Sequence, residues 1–201
     1  GKKASQFFCQ GMLSCARKYC NEISVSPVKV FKDWINDAID EMEVLFGDDP
    51  MAAHAHTTCA VLYLDENRVM TAHCGDSRVY RLNPTEIVWR TRDHSVPQDL
   101  LTIGLITEEE LAQHPEQNHL MRSINVNKDY PVEIRLFPAI SKNETFVLCS
   151  DGFWGHIKPE ELLQLSDLDS DFETLNKLAK LSIYRANGNS DNLTVMSVKC
   201  K

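Results

Sequence analysis

The stretch Phe146-Val147-Leu148-Cys149-Ser150-Asp151-Gly152-Phe153-Trp154 decides the fold. Its first half is a short apolar run, which reads as a buried strand bounded by Asn143 ahead of it and Gly152 behind it. The run stops at a carboxylate followed by a glycine. A strand end holds a side chain more firmly than a loop does, and Gly152 permits a turn that most residues resist. A carboxylate pressed there against an apolar interior is costly unless a cation or strong hydrogen bonds compensate. Asp-Gly turns are also common punctuation, so Asp151 alone reads equally as a cap on its turn.

Downstream, Lys158-Pro159 opens a short helix. Ser170 and Glu173 form a capping box ahead of a helix through Leu175, Leu178, Ala179 and Ile183, with Gly188 as its stop. Residues 193–198 make a last strand. Upstream, Val132, Ile134 and Leu136 alternate as a strand does. Residues 95–119 are polar and helix-prone, with a capping box at Thr107 and Glu110, and are long for a connection between strands, which marks a functional insertion. The β-rich runs 57–64, 68–74, 79–82 and 87–90 are joined by such short turns that an antiparallel meander is expected. Ahead of them lie two amphipathic helices. The first carries Ala4, Phe7, Phe8, Met12, Leu13 and Ala16. The second starts at Ser26-Pro27, carries Phe31, Trp34, Ile35, Ala38, Ile39, Met42 and Leu45, and stops at Gly47-Asp48-Asp49-Pro50. Helices, then strands, then helix and strand, indicate an α+β domain with helices packed on mostly antiparallel sheets.

The 201 residues suffice for one domain with a sizeable core. With 29 acidic and 21 basic residues the formal charge is −8, and no basic block is present, which argues against nucleic acid and anionic membranes as partners. No apolar run approaches the roughly 18 residues of a membrane span. The seven cysteines are odd in number, contain no C-x-x-C pair, and mostly sit in apolar runs (Cys9, Cys59, Cys74, Cys149), as buried thiols of a reducing compartment do.

Two further aspartates share the situation of Asp151. Asp76 stands in Cys74-Gly75-Asp76-Ser77-Arg78 and Asp191 in Ser190-Asp191-Asn192, each at a strand boundary beside a turn-forming residue. Carboxylates gathered at one sheet end repel unless a cation sits among them, and hard divalent ions prefer such oxygen ligands. Three unrelated turn aspartates are the plainer alternative, since Asp favours turns. His54 and His56 are either a pair of metal ligands or ordinary turn residues. Arg78 reads as the partner of a neighbouring carboxylate, and Phe153 and Trp154 as core. The cysteines do not fit a thiol phosphatase, because none is followed by five residues and an arginine.

Four motifs in order, Gly75-Asp76-Ser77-Arg78-Val79-Tyr80-Arg81-Leu82, Thr91-Arg92-Asp93-His94-Ser95, Leu148-Cys149-Ser150-Asp151-Gly152 and Ser190-Asp191-Asn192-Leu193-Thr194-Val195, resemble those of the metal-dependent type 2C protein phosphatases, the PPM family. Gly104-Leu105-Ile106-Thr107-Glu108-Glu109-Glu110 and His114-Pro115 are similar to the flap of bacterial-type members. The resemblance implies a β-sandwich of two antiparallel sheets flanked by helix pairs, with metals in a cleft at one end. It implies hydrolysis of phosphoserine and phosphothreonine in proteins by a two-metal mechanism, with Mg²⁺ or Mn²⁺, two or three ions, activating a water. By motif, Asp151 and Asp191 would bind the paired ions and Asp76 a third, weaker one shared with Asp151. Asn192 would steady Asp191, and Gly152 would shape the turn behind Asp151. Asp93, His94 and Ser95 would belong to the flap, residues 95–119, with His94 ordering it.

The family's phosphate-gripping arginine and its Asp-Gly-x-Gly-Gly turn do not occur in the chain, and Gly1-Lys2-Lys3-Ala4-Ser5 is similar to the residues just after that turn. The expectation is therefore a single domain, residues 1–201, without its first strands, preceded in the complete protein by roughly fifty residues, and not competent alone. His56 and Asn125 stand where glycine is usual; Asn tolerates positive φ better than most. The resemblance further implies a cytoplasmic monomer acting on phosphorylated proteins opposite a serine/threonine kinase. The alternative is a pseudophosphatase, a regulatory binding module that keeps the fold without the chemistry.

Overall fold

The computed structural model describes residues 1–126, 132–188 and 192–200. Its first two elements are α1 (Lys2–Cys20) and α2 (Pro27–Phe46), with Pro27 at the helix start where its missing N–H costs nothing. Gly11 lets the two helices close: a Cβ there would lie 2.5 Å from the Ala38 carbonyl oxygen. Trp34 Nε1 donates to Met12 O at 2.8 Å across the same contact. Gly47, at φ +54°, ends α2 where the sequence predicts.

Among the described residues seven strands follow, in two antiparallel sheets. One has β1 (Cys59–Leu64), β2 (Arg68–Cys74) and β5 (Glu133–Pro138) in the order β1-β2-β5. The other has β3 (Arg78–Leu82), β4 (Ile87–Arg90), β6 (Thr145–Cys149) and β7 (Val195–Lys199) in the order β4-β3-β6-β7. The expected meander is thus corrected. β2 and β3 belong to different sheets, and Gly75-Asp76-Ser77 carries the chain across. Gly75 makes this possible at φ +95°, a backbone region hostile to other residues, and a Cβ there would run into Thr58 Cγ2.

Alternation along the strands sorts the layers. Met70, Ala72 and Cys74 of β2 meet Phe8, Met12, Phe31, Ile35, Ala38 and Met42 of α1 and α2. Tyr80 and Leu82 of β3, with Val147 and Cys149 of β6, meet Phe153, Trp154, Leu162, Leu165 and Leu178 on the opposite side. Those last residues come from α5 (Asp151–Trp154), α6 (Pro159–Leu162), the 3₁₀ turn after it, and α7 (Phe172–Ala186). Val69, Val79 and Phe146 are fully buried outside both clusters, and Trp89 stacks on Phe137 at 4.3 Å from the other sheet. Burial on both faces explains why residues 146–149 of β6 read as an unbroken apolar run.

Three local expectations change. α7 is capped by Asp171, whose Oδ1 accepts from Glu173 N and Thr174 N, while Ser170 O accepts from Lys199 Nζ. Asn125 does not adopt positive φ; its Nδ2 donates to Ala53 O and Ala55 O. Cys59, Cys74 and Cys149 are buried as expected, but Cys9 is exposed; all seven cysteines are free.

Candidate metal centre

β3 and β6 pair with Arg78 opposite Cys149. Carrying that register two residues past each strand end places Asp76 opposite Asp151, so antiparallel pairing alone delivers both carboxylates to one end of the sheet. The Asp76 backbone is held by Trp154 Nε1, which donates to Asp76 O at 2.9 Å. Only 7% of Asp76 is exposed. Burial, then the negative charges of Asp151 and Asp93, push its carboxyl up to about 7 against the weaker pull of its own backbone N–H and Arg78. No ion pair to Asp76 occurs among the described residues. A buried carboxylate facing like charges is the donor set a hard divalent ion fits.

Asp151 opens α5 directly after Ser150. Gly152 is buried inside that helical turn and is not a positive-φ residue, which corrects the expectation of a glycine-only turn; its carbonyl accepts from Ser182 Oγ at 2.6 Å. The segment bearing Asn192 is pinned beside Asp151: Ser150 Oγ donates to Asn192 O and accepts from Thr194 N, both at 3.0 Å. Asp191 lies outside the described residues.

Next to the acidic pair stands an ion cage. Arg78, 2% exposed, lies 3.4 Å above the Trp154 ring centre and grips Asp93 through Nε (2.8 Å) and an NH2 nitrogen (2.6 Å). It also donates to Tyr80 Oη and Glu108, and Glu108 takes a second arginine, Arg90, at 2.6 Å. Arg78 is thus the carboxylate partner the sequence suggested. Asp93 belongs to the cage, and Ser95 caps α3 (Val96–Thr102) by accepting from Gln98 N. Glu108, first residue of α4 (Glu108–Ala112), ties the 95–119 stretch to the cage, and the Thr107–Glu110 capping box is present as read. Between the helices Ile103 and Leu105 are exposed.

A cluster that sequence reading missed lies behind Gly75. His73, His94 and Glu133 bring one ligand atom each within 4.8 Å of one another. Strand alternation carried the only hint: His73 lies on the face of β2 opposite Met70, Ala72 and Cys74, which pack on the helices. His94 Nδ1 accepts from Gly75 N (3.1 Å) and its Nε2 faces Glu133 at 3.4 Å. Neutral His94 therefore keeps its proton on Nε2, which then has no lone pair for a metal. The His73 and His94 rings also stack, 4.7 Å apart and 9° from parallel, so their in-plane lone pairs do not converge. Burial lowers both histidines' pKa. His54 ends an exposed 3₁₀ turn and His56 Nδ1 bonds Ser123 Oγ; the two form no metal cluster among the described residues.

No family model matches the chain. The serine/threonine phosphatase Stp of Listeria monocytogenes is 30% identical over 172 residues, 83% of this chain and 67% of that protein. The solved structure of the Mycobacterium tuberculosis serine/threonine phosphatase PstP/Ppp matches with a TM-score of 0.80 at 23% identity, over 96% of this chain and 81% of that one. A structure of the PstP catalytic domain in complex with two manganese ions matches at 0.74 and 21% identity, over 100% and 82%. The two structures share the sandwich and its flanking helices with this chain.

Proposed function

This chain belongs to the metal-dependent type 2C (PPM) family of serine/threonine phosphatases, and from that premise we propose that its Asp76–Asp151 sheet end seats the divalent ions of phosphoserine and phosphothreonine hydrolysis. The observation that carries the proposal is the buried Asp76 carboxyl, raised to about 7 between Asp151 and Asp93. Burying a carboxylate among its like costs stability unless a cation is the intended neighbour. Mg²⁺ or Mn²⁺, when bound, supplies an acidified water and shields the phosphoryl oxygens. Asp151 and Asp191 are assigned to the paired ions, Asp76 to a third beside Asp151, and Asn192 to orienting Asp191. The substrates are phosphorylated proteins, opposite a serine/threonine kinase, and residues 95–119 form the flap that selects among them. No helix of the described residues is long and apolar enough to cross a membrane; a cytoplasmic monomer is proposed.

Hydrolysis of a phosphothreonine peptide by the complete protein, followed against Mn²⁺ concentration, tests this. Asp151→Asn and Asp191→Asn each remove most turnover, and Asp76→Asn slows it while tight metal binding persists. Unchanged turnover in Asp151→Asn sinks the assignment, and a protein that binds Mn²⁺ without any turnover is a binding module instead.

A further inference from the structure

The Gly75 peptide is gripped at both of its polar groups by one residue. His94 Nδ1 accepts from Gly75 N at 3.1 Å, and His94 N donates to Gly75 O at 2.9 Å. With Thr58 excluding any Cβ at Gly75 and Trp154 holding Asp76 O, the backbone on both sides of Asp76's nitrogen has one path. We infer that His94 is a positioning residue for Asp76, acting through the Gly75 peptide, with Glu133 and His73 fixing its ring. The inference rests on the metal-seat reading of Asp76 for its consequence, though not for its geometry.

The ring can accept at Nδ1 only while its proton sits on Nε2. Glu133, directly opposite His73 in the β2–β5 pairing, presents Oε2 to that Nε2 at 3.4 Å, a long contact that still favours this tautomer. Arg135 holds the other oxygen of Glu133 at 2.6 Å. His73 stacks flat on the His94 ring, while its own Nε2 donates to Arg92 O at 2.7 Å, fixing the chain just ahead of His94. In that tautomer His73 Nδ1 is a buried lone pair with no partner among the described residues, and gives His94 a neutral face to rest on. Three elements, β2, β5 and the 91–95 segment, thus converge on one backbone N–H adjoining Asp76.

Two measurements test this. In the metal-free wild-type chain labelled with ¹⁵N, a scalar coupling across the hydrogen bond is expected between Gly75 N and His94 Nδ1, with Nε2 as the protonated nitrogen. A protonated Nδ1, or no coupling, overturns the tether whatever the metals do. Then the affinity of the weaker Mn²⁺ site, the one assigned to Asp76, is read by calorimetry in the complete protein. His94→Ala weakens it about tenfold, as loss of an orienting partner commonly does, while His94→Asn, whose side-chain oxygen can accept from Gly75 N, retains most of it. Equal affinity losses in both variants reduce His94 to packing. If the coupling is present but the weaker site's Mn²⁺ affinity ignores Asp76→Asn as well as His94→Ala, the tether stands and the metal-seat reading of Asp76 fails.

Discussion

Arg78 and Asp76 stand two residues apart at one end of β3, and both are buried, yet their surroundings are opposite. Arg78 is matched on every side: two bonds to Asp93, one each to Tyr80 and Glu108, and the Trp154 face. Asp76 is buried beside Asp151 and Asp93, whose charges outweigh the pull of Arg78, and its carboxyl is driven up to about 7. A buried charge with complete partners belongs to the architecture. A buried charge facing its like awaits a partner from outside. Trp154 touches both, stacking on one and holding the backbone of the other, so the satisfied cage is the frame on which the acidic pair is built.

The comparison can be broken most forcefully from the satisfied side. Arg78→Met leaves Asp93 without its main cation and should cost about 3–5 kcal/mol, read by denaturant unfolding. A cost near that of an exposed substitution would mean the cage is decorative. From the other side, Asp76→Asn should stabilise the metal-free protein. The native carboxyl titrates near 7 against an ordinary 3.8, so the native state holds a proton that the unfolded chain has lost between those values. Stability from this group is therefore full below the unfolded value and falls as pH rises, the loss complete above about 7. Asparagine escapes the loss, by up to about 4 kcal/mol at pH 8, with the gain shrinking as pH falls and gone below 4. A flat difference across pH would place Asp76 in an ordinary turn.

Smaller effects sharpen the role of the cage. Glu108→Gln weakens the half-exposed bridge to Arg78 and Arg90 and should cost about 1 kcal/mol, with faster hydrogen exchange across α3 and α4. Unchanged exchange would detach the 95–119 stretch from the cage. Thr107→Ala removes one side of a capping box and should cost about 1 kcal/mol or less, fraying α4 alone.

The strand ends were legible in the sequence, because the turns at Gly75-Asp76-Ser77 and Ser150-Asp151-Gly152 are set by local pattern. That β3 pairs with β6, which brings Asp76 opposite Asp151, was not, because the two strands lie far apart in the chain and nothing local encodes their register. The sheet change between β2 and β3 was not legible: a three-residue turn looks alike within one sheet and between two, and the difference lies in the +95° φ of Gly75. Ser170 and Asp171 both make good helix caps, and only the bonds to Asp171 separate them. The His73–His94–Glu133 cluster joins residues far apart in the chain, and no local signal encodes its contacts. Asn125 occupies a position where glycine is usual for a reason of its own, bridging two carbonyls rather than adopting positive φ.

The central claim, that Asp76 and Asp151 form a cation seat, is tested most directly by thermal unfolding of the 201-residue chain with and without millimolar Mn²⁺. Ligand bound only by the native state raises the midpoint by mass action. The account predicts a rise in the wild type, a smaller one in Asp76→Asn, and almost none in Asp151→Asn. The same rise in all three proteins, or none in the wild type, would contradict it.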